Sequence, residues 1–182
     1  TVHLVSTPTT LLLWDIDGTL IVSGNAGARA LRLALRNLFG IDGSLHDIEF
    51  AGRTDRWILR AIFQKFSIPC TEENFARCLD VYLAILPAHL APPHARVLPG
   101  VRAILSAADH RPDVAQGLLT GNVHRGAQVK LTHHALWDHF AFGAFGDDAA
   151  GKVGEAHARL GLVHVLAAGA AGAEGIHFEV GF

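Results

Sequence analysis

A short apolar run that stops at a pair of acids constrains this chain more than any other feature. Residues Thr10 to Trp14 are followed directly by Asp15-Ile16-Asp17-Gly18-Thr19. The length of the run and the glycine behind it favour a buried strand over a helix. At the end of a strand, residues i and i+2 point to the same side, so Asp15 and Asp17 can both face the carboxyl edge of a sheet. Open α/β folds bind ligands at that edge, where one acid can attack while the other carries a proton.

The remainder of the chain divides into a helical block and an alternating block. Helical spacing of apolar residues predicts the first three helices, and the second has Thr54 as its N-cap. After Pro92-Pro93, strand and helix patterns alternate, which implies a parallel sheet with helices on its faces. The helical predictions are Gly27–Phe39, Asp55–Phe66, a helix after Thr71, one opening at Pro99-Gly100, Arg125–Ala135 and Glu155–Leu160; the strands are Val114–Leu119, Phe140–Phe145 and Leu162–Leu166.

Composition excludes several classes of function. The 182 residues are 50% hydrophobic, and the formal net charge is −2 without a block of like charges. A nucleic-acid surface would show clustered Lys and Arg, so none is expected. No apolar run is long enough to span a bilayer, and no membrane partner is expected. Cys70 and Cys78 are predicted to be free thiols, which suits a reducing cytoplasm.

The first motif resembles a known family. Leu12-Leu-Trp-Asp-Ile-Asp-Gly-Thr-Leu20 is similar to the first motif of phosphatases of the haloacid dehalogenase (HAD) superfamily. The resemblance implies that Asp15 attacks phosphorus to form an aspartyl-phosphate. It implies that Asp17 protonates the leaving group and then activates water. It also implies Mg²⁺, held by the Asp15 side chain and the Asp17 backbone carbonyl, and oxygen ligands are what this hard cation prefers.

Two further segments resemble parts of the same family. Leu118-Leu-Thr-Gly-Asn122 is similar to the second motif, where Thr120 would bind phosphate while Gly121 and Asn122 shape the loop. Ala51-Gly-Arg-Thr-Asp55 resembles the substrate-specificity loop of members with a helical cap. There Arg53 is the candidate for a distal charge on the substrate, because a guanidinium grips carboxylate or phosphate well.

The later motifs are less clear. The family's third motif is a Lys or Arg, and both Lys130 and Lys152 are candidates, with Lys130 preferred as the catalytic lysine. The fourth motif supplies further acids for magnesium after a late strand, but here Leu162–Leu166 runs into Ala167–Gly175 without an Asp. Gly146-Asp147-Asp148 comes one helix and one strand too early. The resemblance therefore covers residues 10 to about 150. It does not decide whether the magnesium site is complete enough to function.

These observations combine into one prediction. The fold class is α/β, a Rossmann-like parallel core of the HAD type (residues 1–23 and 95–182) with an inserted α-helical cap (24–94). The predicted function, closest to the phosphoglycolate-phosphatase-like branch, is Mg-dependent hydrolysis of a small phosphorylated metabolite in the cytoplasm. The alternatives are a 2-haloacid dehalogenase, a phosphomutase, or an impaired, truncated relative that binds phosphate. The sequence does not indicate the substrate or an oligomeric state.

Overall fold

The computed structural model describes residues 10–91 and 93–148, together with the backbone of two later strands, 165–167 and 176–178. Its elements alternate much as the sequence predicts. In chain order they are β1 (Thr10–Trp14), β2 (Ile21–Val22), α1 (Ala26–Phe39), α2 (Asp55–Lys65), α3 (Glu72–His89), β3 (Arg96–Val97), α4 (Val101–Asp109), β4 (Val114–Leu119), α5 (His124–His133), a 3₁₀ helix (Trp137–His139), β5 (Gly143–Ala144), β6 (Val165–Ala167) and β7 (Ile176–Phe178).

One five-stranded sheet forms the centre of the molecule. Its strand order is β5-β4-β1-β6-β7, and a parallel ladder joins β1 to β4 in the register Thr10↔Val114 to Trp14↔Leu118. β5 is parallel to β4 and β6 is parallel to β1, whereas β7 pairs with β6 in the antiparallel direction. The carboxyl ends of β1 and β4 therefore lie side by side, as the predicted α/β class requires.

Local sequence signals explain where the helices begin and end. The hydroxyl of Thr54 accepts a hydrogen bond from the Trp57 N–H, and that of Thr71 accepts one from the Asn74 N–H, so both threonines cap their helices. Gly40 ends α1 with a φ of 66°, the left-handed conformation that glycine adopts at low cost. The predicted bounds of α1, α2 and β4 are confirmed within one residue.

The strand predicted over Phe140–Phe145 is wrong in extent. Only Gly143 and Ala144 form β5, and the chain before them leaves a 3₁₀ helix and a turn. Phe142 instead packs beside Gly117, where any Cβ would overlap the Phe142 ring. The Phe142 ring is therefore used for packing against β4. The predicted helix Glu155–Leu160 and most of the predicted strand Leu162–Leu166 lie outside the described residues; β6 begins at Val165.

Two separate hydrophobic clusters stabilise the fold. The sheet cluster contains Trp14, Ile16, Leu105, Leu118 and Leu131 among its buried members. The helical cluster belongs to α1, α2 and α3, which together form the three-helix segment, and to the residues that flank them. Its buried members include Leu35, Ile62, Phe63, Tyr82 and Leu86.

The chain enters and leaves the three-helix segment at one place. β2 and β3 pair there as a two-stranded antiparallel sheet, with Val22 opposite Arg96. The Arg29 guanidinium donates to the carbonyl oxygens of Gly24 and His89, at the two ends of the segment. The division into a core of residues 1–23 and 95–182 and a cap of residues 24–94 stays a prediction. The helical cluster draws its buried members from residues 26–95.

Candidate active site

The predicted acids and the predicted phosphate loop lie together around one cavity. This cavity has a volume of about 740 Å³ and lies between the carboxyl edge of the sheet and the three-helix segment. Every predicted site residue in the described part of the chain lines it: Asp15, Asp17, Arg53, Thr120, Gly121, Asn122 and Lys130.

A buried network connects the end of β1 to the loop after β4. The Lys130 ammonium donates to Asp17 Oδ2 at 2.6 Å and to Asn122 Oδ1 at 2.6 Å. The Asn122 amide nitrogen in turn donates to Asp17 Oδ2 at 2.9 Å and to Thr120 Oγ1 at 2.8 Å. Lys130, Asn122 and Thr120 are all less than 9% exposed, whereas the Asp17 side chain is 39% exposed, so the network presents one carboxylate to the cavity. Asn122 is thus a bridge between the two motifs as well as a loop residue.

The two acids differ in their protonation tendencies. Burial raises the pKa of Asp15 and neighbouring Asp17 adds to this, while the Ile16 N–H, the Thr120 hydroxyl and Lys130 offset part of it. Burial alone would also raise the pKa of Asp17. The Lys130 charge and hydrogen bonds from Lys130, Asn122 and Ser23 outweigh that effect and hold the Asp17 pKa below its ordinary value. In the ligand-free protein Asp17 is therefore the acid held more firmly as a carboxylate.

Sequence reasoning missed Asp55 as part of this site. Its backbone N–H donates to the Gly121 carbonyl at 2.9 Å, and its Oδ2 accepts from the Val123 N–H at 2.9 Å. Two bonds from the first turn of α2 thus hold the predicted phosphate loop, residues 120–123. Burial raises the pKa of Asp55, the Lys130 charge and the Val123 bond lower it, and Asp17 and Asp147 raise it further. The sequence signal was an acid directly after the N-cap Thr54, which by itself indicates only a helix start.

Gly121 is required where the loop meets the three-helix segment. A Cβ there would lie 2.7 Å from the Arg53 carbonyl oxygen, closer than side chains come to backbone. The loop is supported from its other side by the Gly146 N–H, which donates to the Asn122 carbonyl at 2.8 Å. The predicted loop-shaping role of Gly121 therefore has a steric reason, which is the close approach of two backbones.

Arg53 lies at the cavity with its charge already offset. Its guanidinium donates to Glu49 Oε2 at 2.6 and 3.1 Å and lies 4.5 Å from the centre of the Trp57 ring. The pair is exposed, with side-chain exposures of 44% and 61%, so replacing Glu49 by another acceptor would cost little free energy.

The remaining sequence candidates lie elsewhere. Asp147 accepts a hydrogen bond from the His124 N–H and Asp148 accepts one from the Phe145 N–H, so both carboxylates support the loop around them. Neither lines the cavity. Lys152 lies outside the described residues. Within the part of the chain that the structure describes, no three His, Cys, Asp or Glu side chains form a group able to hold a metal ion.

Among the comparisons with known proteins, those with solved structures agree with this architecture. No protein-family model matches the sequence, and no curated protein matches it. Solved structures do match. CbbY from Rhodobacter sphaeroides, in complex with phosphate, superposes with a TM-score of 0.68 at 16% identity, over 87% of this chain and 76% of that one.

Two further structures give the same result. A predicted phosphoglycolate phosphatase from Haemophilus somnus 129pt matches with a TM-score of 0.62 at 15% identity, over 89% of this chain and 77% of that one. A Thermotoga maritima protein provisionally described as a β-phosphoglucomutase matches with a TM-score of 0.55 at 20% identity, over 87% and 74%.

These likenesses define the fold. The chain has a doubly wound α/β fold with its site at the carboxyl edge of a parallel sheet. In particular, it has the HAD-like α/β fold of these structures, the fold class that the sequence predicted. No helix among the described residues has the length and apolar character needed to cross a membrane.

Proposed function

We propose that this chain hydrolyses a small phosphate monoester through an aspartyl-phosphate on Asp15. The observation that carries the proposal is the meeting of Asp15 and Asp17 with Thr120, Asn122 and Lys130 around one cavity. An attacking carboxylate, a second acid, a hydroxyl, an amide and a buried cation are the groups that phosphoryl transfer needs.

The proposed chemistry runs in two steps. An Asp15 carboxylate oxygen attacks phosphorus, the bond from phosphorus to the ester oxygen breaks, and Asp17 gives that oxygen a proton. Asp17 then takes a proton from water, the water oxygen attacks phosphorus, and the bond to Asp15 breaks to release phosphate. Asp17 starts as a carboxylate in the free protein, and an arriving phosphate dianion would raise its pKa toward the protonated form.

The charge balance supports a cation cofactor. Among the described residues, two cationic side chains line the cavity, and both are already paired: Lys130 with Asp17, and Arg53 with Glu49. The Asp15 carboxylate and a phosphate dianion would repel each other without another positive charge. We propose that Mg²⁺ supplies it, held by the Asp15 carboxylate and the Asp17 backbone carbonyl, which are hard oxygen ligands of the right kind. The third acid of the cavity, Asp55, accepts from the Val123 N–H, and the described residues contain no group of three ligating side chains, so the protein's share of this site is small.

Arg53 is proposed as a substrate contact at the mouth of the cavity. Arg53→Ala leaves the Glu49 charge uncompensated there. Binding of esters that carry a second acidic group should then weaken more than binding of a neutral phosphate ester. Equal effects on the two kinds of ester would make Arg53 an ordinary surface residue.

The nucleophile is tested by replacement of Asp15. Asp15→Asn should abolish phosphate release from p-nitrophenyl phosphate in the presence of Mg²⁺, and Asp17→Asn should slow it by roughly 10²–10⁴-fold, the range of general acid–base catalysis. The matched control is Asp138→Asn, an exposed acid on the 3₁₀ helix, which should leave the rate unchanged. Wild-type rates in Asp15→Asn would refute the assignment.

Two further measurements separate the alternatives. In oxygen-labelled water, a phosphatase places the label in the released phosphate, because water attacks phosphorus. A dehalogenase forms an ester between Asp15 and a substrate carbon, and hydrolysis of that ester places the label in the Asp15 carboxylate. A phosphomutase would return the phosphoryl group to the organic product, which product analysis detects. The Asp17 acid favours the phosphatase, because dehalogenation needs no proton donor at that position. A cytoplasmic location remains a prediction from the sequence.

A further inference from the structure

The wall of the cavity beyond the phosphate loop is mainly apolar. Every helix of the three-helix segment contributes apolar side chains to it, and so does the chain before α2. Leu119, the last residue of β4, adds another beside Thr120 and is 44% exposed. The larger side chains of this lining from the three-helix segment and its connections are Leu31, Phe50, Ile58, Leu59, Leu79 and the ring of Tyr82.

Charge is confined to the phosphate end and the mouth of the cavity. Asp15, Asp17 and Lys130 belong to the phosphate end, and Asp55 is bonded to Gly121 and Val123. Arg53 at the mouth is offset by Glu49. A second anionic group placed against the apolar wall would lose its water without gaining a partner, and such transfer is strongly unfavourable.

We infer that the organic part of the substrate is largely apolar and uncharged, as in the phosphate ester of a phenol or a branched alcohol. This inference rests on the proposed phosphatase function and specifies its substrate class. The cavity volume of about 740 Å³ lies within the range of pockets that enclose small organic ligands, so there is room for a ring as well as a phosphate. The wall would bind that ring by removing apolar surface from water.

Non-hydrolysable phosphonates test the inference without any need for turnover. Calorimetry of the full chain with Mg²⁺ would compare methylphosphonate, benzylphosphonate and phosphonoacetate, with inorganic phosphate as the reference. Burial of a phenyl ring should make benzylphosphonate bind about 10- to 100-fold more tightly than methylphosphonate. Phosphonoacetate should bind no more tightly than methylphosphonate, because its carboxylate would either lie against the apolar wall or replace Glu49 at Arg53, an exchange of one carboxylate for another that brings no net gain.

Two variants test whether the apolar wall causes the preference for benzylphosphonate. Leu79 is half-buried on α3 and lines the cavity, so Leu79→Ser should reduce the preference for benzylphosphonate several-fold while leaving inorganic phosphate binding unchanged. Phe50→Ser provides a second test if Leu79→Ser folds poorly. The matched control is Ile104→Ser, an apolar residue of α4 that is 52% exposed and does not line the cavity. It should leave all the affinities unchanged.

The possible failures are distinguishable. Phosphate binding without a preference for benzylphosphonate, or tighter binding of phosphonoacetate, would overturn the substrate class and leave the phosphatase proposal standing. A loss of preference in Ile104→Ser equal to that in Leu79→Ser would also overturn it. No binding of phosphate or of any phosphonate would overturn the phosphatase proposal and this inference together.

Discussion

Asp55 offers a sharp test of how the three-helix segment holds the phosphate loop. Asp55→Ala removes the acceptor of the Val123 N–H, and Val123 is only 3% exposed, so this donor would be left without a partner in the protein interior. An unsatisfied buried donor costs about 1–3 kcal/mol. Loss of the acid from the first turn of α2 adds about 0.3–1 kcal/mol. The free energy of unfolding should therefore fall by about 1–4 kcal/mol.

Asp55→Asn separates the hydrogen bond from the charge. The asparagine side-chain oxygen can still accept from Val123, and burial already disfavours the charged form of Asp55. The expected loss is therefore below about 1 kcal/mol. The control is Asp80→Ala, which removes an exposed ion pair to Arg125 between α3 and α5 and should cost about 0–1 kcal/mol.

Urea unfolding of the four proteins at neutral pH measures these differences. The stability of Asp55→Ala should be well below that of the other three proteins. Phosphate affinity should fall in the same order, because the loop after β4 loses its Val123 bond and keeps only the backbone bond from residue 55 to Gly121. Two results would refute the reasoning. One is a loss in Asp55→Ala no larger than in Asp80→Ala. The other is a loss in Asp55→Asn equal to that in Asp55→Ala.

Other expectations concern thiols, metal and pH. Burial raises the pKa of the Cys78 thiol to about 12, so iodoacetamide should label one thiol per native chain, two after unfolding, and none in native Cys70→Ser. Calorimetry should find weak Mg²⁺ binding that is unchanged in Asp147→Asn/Asp148→Asn, and a large loss of affinity in that double variant would show that this loop completes the metal site. Burial, His133 and Arg102 lower the pKa of His134, so the neutral form is favoured in the fold. Stability should be full above the ordinary pKa of 6.5 and decrease as the pH falls below it, and urea unfolding should find a smaller decrease in His134→Gln.

Local patterns were sufficient to predict much of the site. Asp15 and Asp17 could be placed because the end of a buried strand fixes where side chains i and i+2 point. Thr120 and Asn122 could be placed because β4 has a clear apolar pattern and parallel strands bring their carboxyl ends to one edge. The same reasoning predicted the sheet core, since alternation of strands and helices allows few other arrangements.

Contacts between distant segments could not be predicted. The bond from Asp55 to Val123 spans 68 residues, and the bond from Lys130 to Asp17 spans 113. Periodicity left Lys130 indistinguishable from a solvated helix lysine, and only its burial against Asp17 separates the two interpretations. The predicted extent of β5 was wrong for a similar reason, because the local pattern does not reveal that Phe142 packs on Gly117.

The paired β2 and β3 make the helical region replaceable as a unit. Val22 and Arg96 are directly opposite in an antiparallel pair, a geometry that a two-residue turn can connect. The 73 residues between them could thus be exchanged for a turn such as Asn-Gly without moving the ends of the strands. A lineage, or a protein engineer, could therefore vary the helical wall of the cavity while the acids at the end of β1 stay in place. Gly24, where any Cβ would overlap the His94 carbonyl oxygen, shows how closely the two connections to the helices approach each other in the native chain.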